Sequence, residues 1–362
     1  MTAMFASALR LITSVVFAFA GTMVSGANMS VPRAAHTATT LKDGRVLVAG
    51  GFIDKASVAS GAQLFNPATE RYGATGHMRN LRHSHSATLL ANGKVLIVGG
   101  YGEGNATTAS AELFDPATNA FTATGSLHTP RAGHVAVLLN TGKVLITGGV
   151  GTNWTFLASG ELYDPVTGTF SATGDMTVAR ESHAAIRLND GRVLVAGGHR
   201  GRRADITLFA SAEVYDASTE KFRRVGDMQV RRHKHDAVLL RDGRVMITGG
   251  SDERDDRGVY NTTEFFDAKS ETFTAGPAMQ HGRYKHIGTM LQLPTGAVLL
   301  AGGAPQAETY DAGTNTFVTV GGDVRMAGQF SAAAMLSDGR VLITGGYGNG
   351  TGPRASSWLY RP

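Results

Sequence analysis

Seven copies of one short phrase constrain this chain more than any other feature of its sequence. Each copy has a glycine, in most copies a basic residue, a run of apolar or β-branched residues, and a pair of glycines. The copies are GRVLVAGG at 44–51, GKVLIVGG at 93–100, GKVLITGG at 142–149, GRVLVAGG at 191–198, GRVMITGG at 243–250, GAVLLAGG at 296–303 and GRVLITGG at 339–346. They begin 43 to 53 residues apart. A period of this size is typical of repeat architectures.

Composition restricts the class of repeat. Charged residues make up 17% of the 362 residues, and 47 residues are glycine. Few charges and many glycines favour short strands joined by tight turns over helices. The net charge of +5 is spread along the chain, which argues against a dedicated nucleic-acid-binding protein. The absence of cysteine excludes disulfides, thiolate metal sites and cysteine nucleophiles.

Each repeat predicts four antiparallel strands, here named a to d. In the third repeat, residues 134–139 and 143–147 form two apolar runs around an Asn-Thr-Gly turn, and residues 160–163 begin a third strand. A turn at Asp164–Gly168 leads to a more polar fourth strand at 170–173. Four such strands make one propeller blade, so seven repeats predict an all-β ring of seven blades.

The recurring residues resemble those of kelch-repeat β-propellers. They are the glycine pairs, the Arg-x-x-His that opens strand a, and the aromatic residue of strand c at Phe65, Phe114, Tyr163, Tyr215, Phe266, Tyr310 and Tyr360. One detail departs from many kelch repeats, because strand d carries Phe or Tyr in place of Trp. The resemblance covers nearly all of 21–362 and implies a kelch propeller. It says little about function, because one fold hosts many functions.

The two ends of the chain are expected to complete one blade together. The seventh repeat contains strands a, b and c, with c at 357–362, and lacks strand d. Residues 23–29 align with strand d and the following turn of the second repeat at 121–127. We therefore expect an N-terminal strand to close the last blade.

Residues 1–20 have the layout of a secretory signal peptide. Arg10 precedes an uncharged apolar run at 11–20, and Ala18-Phe19-Ala20 is a small-x-small cleavage pattern. The run is too short to span a bilayer as a helix, so no membrane span is expected. The alternative is a buried strand of the fold. Cleavage would leave a mature propeller of residues 21–362 that is secreted, periplasmic or on the cell surface.

Any ligand is expected on the face that carries the b–c loops. These loops differ in every repeat, whereas the a–b and c–d turns are short and uniform. Variable loops on a rigid scaffold are the usual place for binding. Trp154, Tyr101 and Tyr347 lie in b–c loops, where each would either stack on a sugar or protein partner or pack back on its own scaffold.

Six repeated arginines are further candidates for ligand binding. They open strand a as Arg33, Arg82, Arg131, Arg180, Arg232 and Arg283, and would form a crown for an anion around the axis. The other interpretation is a buried pair with the acidic residue of strand c, at Glu112, Glu161, Glu213, Glu264 and Glu308. The seventh repeat lacks both partners, which favours salt bridges. The histidines three positions after the arginines are expected to satisfy backbone groups between blades.

Two further patterns bear on metals and charge. His83-Ser84-His85 and His233-Lys234-His235 would place two imidazoles on one side of a strand, but neither has an obvious carboxylate third ligand. The charged run 252–257 lacks calcium-loop spacing, and the arginines at 200, 202 and 203 are expected to oppose it across neighbouring loops. We predict no metal and no cofactor.

The sequence favours a non-catalytic binding protein over an enzyme. It contains no Gly-x-Ser-x-Gly, His-Glu-x-x-His or phosphate loop. Galactose-oxidase-like kelch enzymes require a tyrosine crosslinked to cysteine, which this chain cannot form. We predict an exported, monomeric scaffold for a protein or glycan. The alternative is a carbohydrate-active enzyme, of epimerase or lyase type, that uses Arg and His at a central pocket.

Overall fold

The computed structural model describes residues 21–54, 57–322, 326, 328–348 and 350–362, and the predicted signal peptide at 1–20 lies outside them. The described residues form seven antiparallel four-stranded sheets, each of which is one blade with strands in the order a, b, c, d. The prediction of a seven-bladed β-propeller is confirmed.

The strand bounds follow the repeat closely. Blades 1 to 3 consist of Thr37–Thr40, Val46–Ala49, Ala62–Asn66 and Arg71–Ala74; Ser86–Leu89, Val95–Val98, Ala111–Asp115 and Ala120–Ala123; and Val135–Leu138, Val144–Thr147, Gly160–Asp164 and Thr169–Thr173. Blades 4 and 5 consist of Ala184–Arg187, Val193–Ala196, Ala212–Asp216 and Lys221–Arg224; and Asp236–Leu239, Val245–Thr248, Thr263–Asp267 and Thr272–Ala275. Blades 6 and 7 consist of Met290–Gln292, Val298–Leu300, Glu308–Asp311 and Thr316–Thr319; and Ala332–Met335, Val341–Thr344, Ser357–Arg361 and Thr22–Ser25.

The N-terminal strand closes blade 7, as predicted. Thr22–Ser25 pairs antiparallel with Ser357–Arg361, in a register that places Met23 opposite Tyr360. The amide of Met23 also donates to the carbonyl oxygen of Gly321 at 2.9 Å, beyond strand d of blade 6. The first described strand is therefore hydrogen-bonded to strand c of its own blade and to the neighbouring blade 6.

Strand b consists of apolar or β-branched residues because both of its faces are buried between blades. In blade 3 all of Val144–Thr147 is buried. Successive side chains of a strand point to opposite faces. Val144 and Ile146 accordingly pack in one core with residues of blade 2, and Leu145 packs in another with residues of blade 4. Strand d has one exposed face, which explains its more polar sequence.

The glycine pair ends strand b where two neighbouring blades meet. Both Gly148 and Gly149 have positive φ, at 69° and 89°. A Cβ on Gly148 would lie 2.6 Å from the Cε1 atom of His183 and 2.7 Å from the carbonyl oxygen of Arg180, both in the next blade. A Cβ on Gly149 would lie 2.9 Å from the amide nitrogen of His134 in its own blade. Only glycine fits this junction, which accounts for the repeated phrase.

The basic residue of the repeated phrase makes its contacts on the opposite face of the propeller, which carries the a–b and c–d turns. Arg45 donates to the carbonyl oxygen of Pro116 at 2.9 Å, and Arg340 donates to that of Pro67 at 3.0 Å. Arg192 donates to the carbonyl oxygen of Ala268 at 2.9 Å. Each arginine reaches from its a–b turn to the c–d turn of the next blade.

The b–c loops carry the remaining regular structure. It comprises a two-stranded ribbon, His199–Arg200 with Thr207–Leu208, and four 3₁₀ turns at Glu103–Asn105, Thr152–Trp154, Arg203–Asp205 and Asp255–Arg257. In the part of the chain that the structure describes, no helix has the length and apolarity needed to cross a membrane.

Candidate functional site

The repeated arginines are buried inside the blades. All six have an exposed fraction of 0–1%. Arg131 donates to the carbonyl oxygens of Gly148 and Ser159 at 3.0 and 2.8 Å, and to the carboxylate of Glu161 at 3.0 Å. The equivalent Arg–Glu pairs of blades 2, 4, 5 and 6 are 2.8 to 3.0 Å apart. Each guanidinium joins strands a, b and c of its own blade.

Blade 1 keeps the arginine without the carboxylate. Arg33 donates to the carbonyl oxygens of Gly50 and Gly61 at 2.7 and 2.9 Å. Gln63, which stands in the glutamate register, accepts from the amide of Ser30 instead. Burial lowers the pKa of Arg33 to about 10. The guanidinium of Arg33, which precedes strand a, is therefore held by carbonyl groups and has no carboxylate partner among the described residues.

Four of the six repeated histidines join neighbouring blades, but through different partners than predicted. Neither ring nitrogen of His183 or His235 has a hydrogen-bond partner among the described residues. The ring of His36 bonds the hydroxyl of Thr344 at 2.7 Å, and the ring of His134 bonds that of Ser86 at 2.9 Å. These partners are side-chain hydroxyls of the preceding blade, whereas the sequence predicted backbone groups. Burial lowers the pKa of both histidines to about 3, so both rings are neutral.

The His-x-His stretches do not present two imidazoles to one site. The residue between the histidines, Ser84 or Lys234, has a left-handed conformation with φ of 51° or 54°, which breaks the alternation of a strand. His83 lies against the ring of Tyr101, with centroids 5.3 Å apart, whereas His85 bonds Thr37 between blades.

These left-handed residues form a ring around the propeller axis, which we call the mouth ring. It consists of Ala35, Ser84, Gly133, Ser182, Lys234, Lys285 and Phe330, all with φ between 51° and 61°. Backbone hydrogen bonds connect them at six of the seven steps between blades; for example, the amide of Ser84 donates to the carbonyl of Ala35, and that of Gly133 donates to the carbonyl of Ser84, each at 3.0 Å. The mouth ring marks the entrance to the axis on the face of the b–c loops.

Below the mouth ring lies a cavity of about 520 Å³, lined by strand a of all seven blades. None of the six repeated arginines is among its lining residues, whereas Glu181 and Lys234 are. Asp236 also lines it, and its carboxylate accepts the amides of Thr289 and Met290 in the next blade, both at 2.9 Å. Burial raises the pKa of Asp236 to about 6.

One side of the mouth is aromatic. Ring contacts with centroids 5.3 to 6.0 Å apart run through five side chains, which we call the aromatic arc: Tyr347, Phe52, His83, Tyr101 and Trp154. All three aromatic residues singled out from the sequence belong to it. Trp154 is 41% exposed and Tyr101 is 6% exposed, so the outer and inner members differ sharply. Tyr347 is half-buried, and its hydroxyl receives a hydrogen bond from Lys285 at 2.9 Å.

The other side of the mouth is charged. Lys234 donates to Asp255 at 3.1 Å and to the hydroxyl of Tyr284 at 2.9 Å. Glu181 lies nearby, 3.8 Å from the Nε2 atom of His199. Burial raises the pKa of Glu181 to about 7, against the opposing effects of Lys234 and Arg202. We call this cluster on blades 4 to 6 the charged arc; it consists of Glu181, His199, Lys234, Asp255 and Tyr284.

Arg202 does not pair with the acidic loop as the sequence suggested. Its guanidinium lies over the ring of Trp154, 3.0 Å from the centroid. The charged loop instead forms its own contacts, with Arg254 bound to Asp252 and Arg231 bound to Glu253 at 2.9 Å. Arg202 therefore links the charged arc to the aromatic arc.

Sequence reasoning missed the charged arc, although a signal for it existed. Three of its members, Glu181, Lys234 and Tyr284, occupy the two variable positions of Arg-x-x-His, where blades 1 and 3 carry only Ala and Gly. Glu181, Lys234 and Tyr284 are departures from small residues at these positions. The repeated residues form the frame of the propeller, which holds strands and blades together. The charged arc consists of residues that break the repeated pattern.

Comparison with known proteins agrees with the fold. A fungal alcohol oxidase of the AA5 family, solved in complex with copper, superposes with a TM-score of 0.71 at 15% identity over 94% of this chain and 76% of that one. The protein YjhT superposes with a TM-score of 0.63 at 14% identity over 82% of this chain and 99% of that one. At such identities the likeness concerns the fold alone. Among the described residues, no group of three or more His, Cys, Asp or Glu could hold a metal ion.

Sequence comparison gives the family. No curated protein matches the chain significantly. Residues 84–303, from the second blade to the sixth, match the family model described as the KLHDC2/KLHL20/DRC7 Kelch-repeats domain. With the repeated glycine pairs, the seven blades and this match, the chain belongs to the kelch-repeat family.

Proposed function

We propose that the protein is an exported, non-catalytic kelch propeller that binds a protein or a glycan with the face of its b–c loops. The observation that carries the proposal is the mouth, where an aromatic arc and a charged arc surround the entrance to the axial cavity. Aromatic faces provide large contact areas, and the charged groups beside them provide direction.

The contrast between frame and mouth supports this choice. The repeated arginines hold strands a, b and c of their blades together, and four of the six repeated histidines bond the preceding blade. The mouth is built from residues that differ from blade to blade, as expected for a surface shaped by a ligand on a rigid scaffold. Trp154 is the most exposed member of the aromatic arc and is the natural first contact.

The decisive experiment compares two exposed apolar residues on opposite faces. Wild-type protein is used to capture partners from the envelope and medium of the exporting cell and is applied to a glycan array. Trp154→Ala should weaken the captured interaction by about 30-fold, the size of a hot spot. Val166, which is 92% exposed in a c–d turn, provides the control: Val166→Ser should bind as wild type does. Equal losses, or no loss in Trp154→Ala, would overturn the assignment.

Export and assembly are parts of the same proposal. The layout of residues 1–20 supports cleavage after Ala20 and a secreted, periplasmic or surface location. N-terminal sequencing of exported protein should begin near Gly21, and recovery of Met1 would contradict it. We also propose that the propeller is monomeric; sedimentation showing a concentration-dependent dimer would contradict that.

One observation favours a carbohydrate-active enzyme as a second candidate. Glu181 is a carboxyl group with a pKa near neutrality that lines a cavity, a situation common in active sites. The repeated arginines first considered for catalysis are buried within blades, so Glu181 would have to act in their place. Incubation with a panel of sugars in D₂O tests this: deuterium incorporation by wild type and none by Glu181→Gln would identify an enzyme.

A further inference from the structure

Two polar groups at the junction of the arcs have no hydrogen-bond donor among the described residues. The hydroxyl of Tyr101 is buried and has no partner. The side chain of Glu181 is 14% exposed, and its nearest ionisable neighbour, the Nε2 atom of His199, is 3.8 Å away. Unmet buried polar groups cost folding free energy. A ligand that donates to both would recover that cost.

The charge at this junction favours a cationic donor. Lys234, the nearby ammonium group, already donates to Asp255 and Tyr284. Arg202 acts on Glu181 and on Tyr101 through its charge, and its guanidinium lies over the ring of Trp154. Among the described residues, the carboxylate of Glu181 therefore has no directly bonded cationic side chain.

The chain itself shows what kind of cation the aromatic wall accepts. Tyr101 and Trp154 lie with ring centroids 5.6 Å apart, and the guanidinium of Arg202 covers the outer ring. Stacking of a guanidinium on tryptophan is among the most favourable cation–π arrangements. Arg202 is exposed and comes from a loop of the neighbouring blade, so a side chain presented from outside can reach the same surface.

We propose that Tyr101, Trp154 and Glu181 form a pocket for the arginine side chain of a protein partner, and that Arg202 is its intramolecular competitor. The guanidinium would stack on Trp154 while its N–H groups donate to the carboxylate of Glu181 and the hydroxyl of Tyr101. This inference rests on the proposed binding role of the b–c loop face and specifies the chemistry that the face recognises.

A pair of peptides tests the pocket directly. Ac-Gly-Gly-Arg-Gly-Gly-NH₂ and its citrulline counterpart differ only in charge and one heteroatom. Binding is followed by calorimetry and by tryptophan fluorescence, which reports on Trp154 because the other tryptophan, Trp358, is 3% exposed. The arginine peptide should bind at least 10-fold more tightly than the citrulline peptide. The affinity of the protein for the arginine peptide should rise between pH 5.5 and 8, because Glu181, which lies beside His199, becomes ionised.

Four variants separate the roles of the groups. Glu181→Gln should lower the affinity for the arginine peptide at least 10-fold and remove its rise with pH. Tyr101→Phe removes the hydroxyl but keeps the ring, and should lower this affinity several-fold. Arg202→Gln should strengthen binding several-fold because the competitor is gone. Glu253→Gln, in an exposed loop of blade 5, is the matched control and should leave the affinity unchanged.

The outcomes distinguish this inference from the proposed function. Equal binding of the two peptides, tighter binding of glucosamine than of the arginine peptide, or loss of binding in Arg202→Gln would each overturn the arginine pocket. If the natural partner is lost in Trp154→Ala but kept in Glu181→Gln, the binding face stands and the pocket is wrong. If Trp154→Ala keeps the natural partner while the peptides discriminate as expected, the pocket stands and the wider proposal fails.

Discussion

The amide of Gly149 donates a hydrogen bond of 2.8 Å to the carbonyl oxygen of Arg180, the residue that opens the next blade. The guanidinium of Arg180 in turn donates, at 2.7 Å, to the carbonyl oxygen of Gly197, the residue that ends strand b of that blade. The same alternation of glycine and arginine recurs around the propeller, from Gly51 to Arg82 and from Gly346 back to Arg33. The two most repeated motifs of the sequence are therefore consecutive parts of one connection between blades.

Replacing the first glycine of a pair should be far more costly than replacing a turn glycine. Gly148→Ala places a Cβ within 2.7 Å of Arg180 and His183, whereas a Cβ on Gly142 meets nothing within 4 Å. Both residues have positive φ, so both variants include the left-handed strain of about 1 kcal/mol. Denaturant unfolding should show a loss of about 3 kcal/mol or more for Gly148→Ala. Equal losses would mean that the blade junction relaxes freely.

Arg131→Ala should destabilise the fold whether or not a ligand is present. The change leaves Glu161 buried, with the backbone amides of His128 and Thr129 and the ring Nδ1 atom of His128 as its remaining partners. Breaking a buried ion pair by removing one partner costs about 3–5 kcal/mol. Arg71→Ala, on the exposed strand d of blade 1, is the control and should change the melting temperature little. A stable Arg131→Ala protein with impaired ligand binding would restore the arginine crown as a binding site.

The sequence predicts the frame well because the frame repeats. Seven glycine pairs at a near-constant spacing specify seven blades, and the joint loss of Arg and Glu from the seventh repeat points to their salt bridge. The mouth does not repeat. Six of the seven residues of its left-handed ring are not glycine, for example Ser84 and Phe330, and hydrogen bonds to neighbouring blades impose their conformation. Local propensity carries no trace of such bonds.

Polar contacts between residues far apart in the chain could not be predicted from the sequence for the same reason. Asp236 follows the histidine of its repeat, where other blades have Thr, Ser, Val, Ala or Ile. Its partners are the amides of Thr289 and Met290, more than fifty positions away in blade 6, where strand a starts late. The carboxylate compensates for an irregular strand in the neighbouring blade, and only the folded ring shows that the two are adjacent.

Asp236 should make the protein less stable as the pH rises from about 4 to about 6. Its folded pKa of about 6 lies above the ordinary value of about 3.9, so across this window the folded state holds the extra proton. The free energy of unfolding should therefore fall with pH by up to about 3 kcal/mol from this group. Asp236→Asn should remove that part of the slope in denaturant unfolding at several pH values. An identical slope in both proteins would show that the carboxyl group titrates normally.

Removing the N-terminal strand should open the propeller. A protein that starts at Gly21 keeps Thr22–Ser25 and serves as the reference, whereas one that starts at residue 27 leaves Ser357–Arg361 as an unpaired edge. It also removes Met23, which is 4% exposed in the core of the last blades. The melting temperature should fall by on the order of 10 °C, with aggregation. A synthetic peptide of residues 21–29 should restore it by pairing with that edge. If the shortened protein melts as the reference does and ignores the peptide, blade 7 does not need its fourth strand.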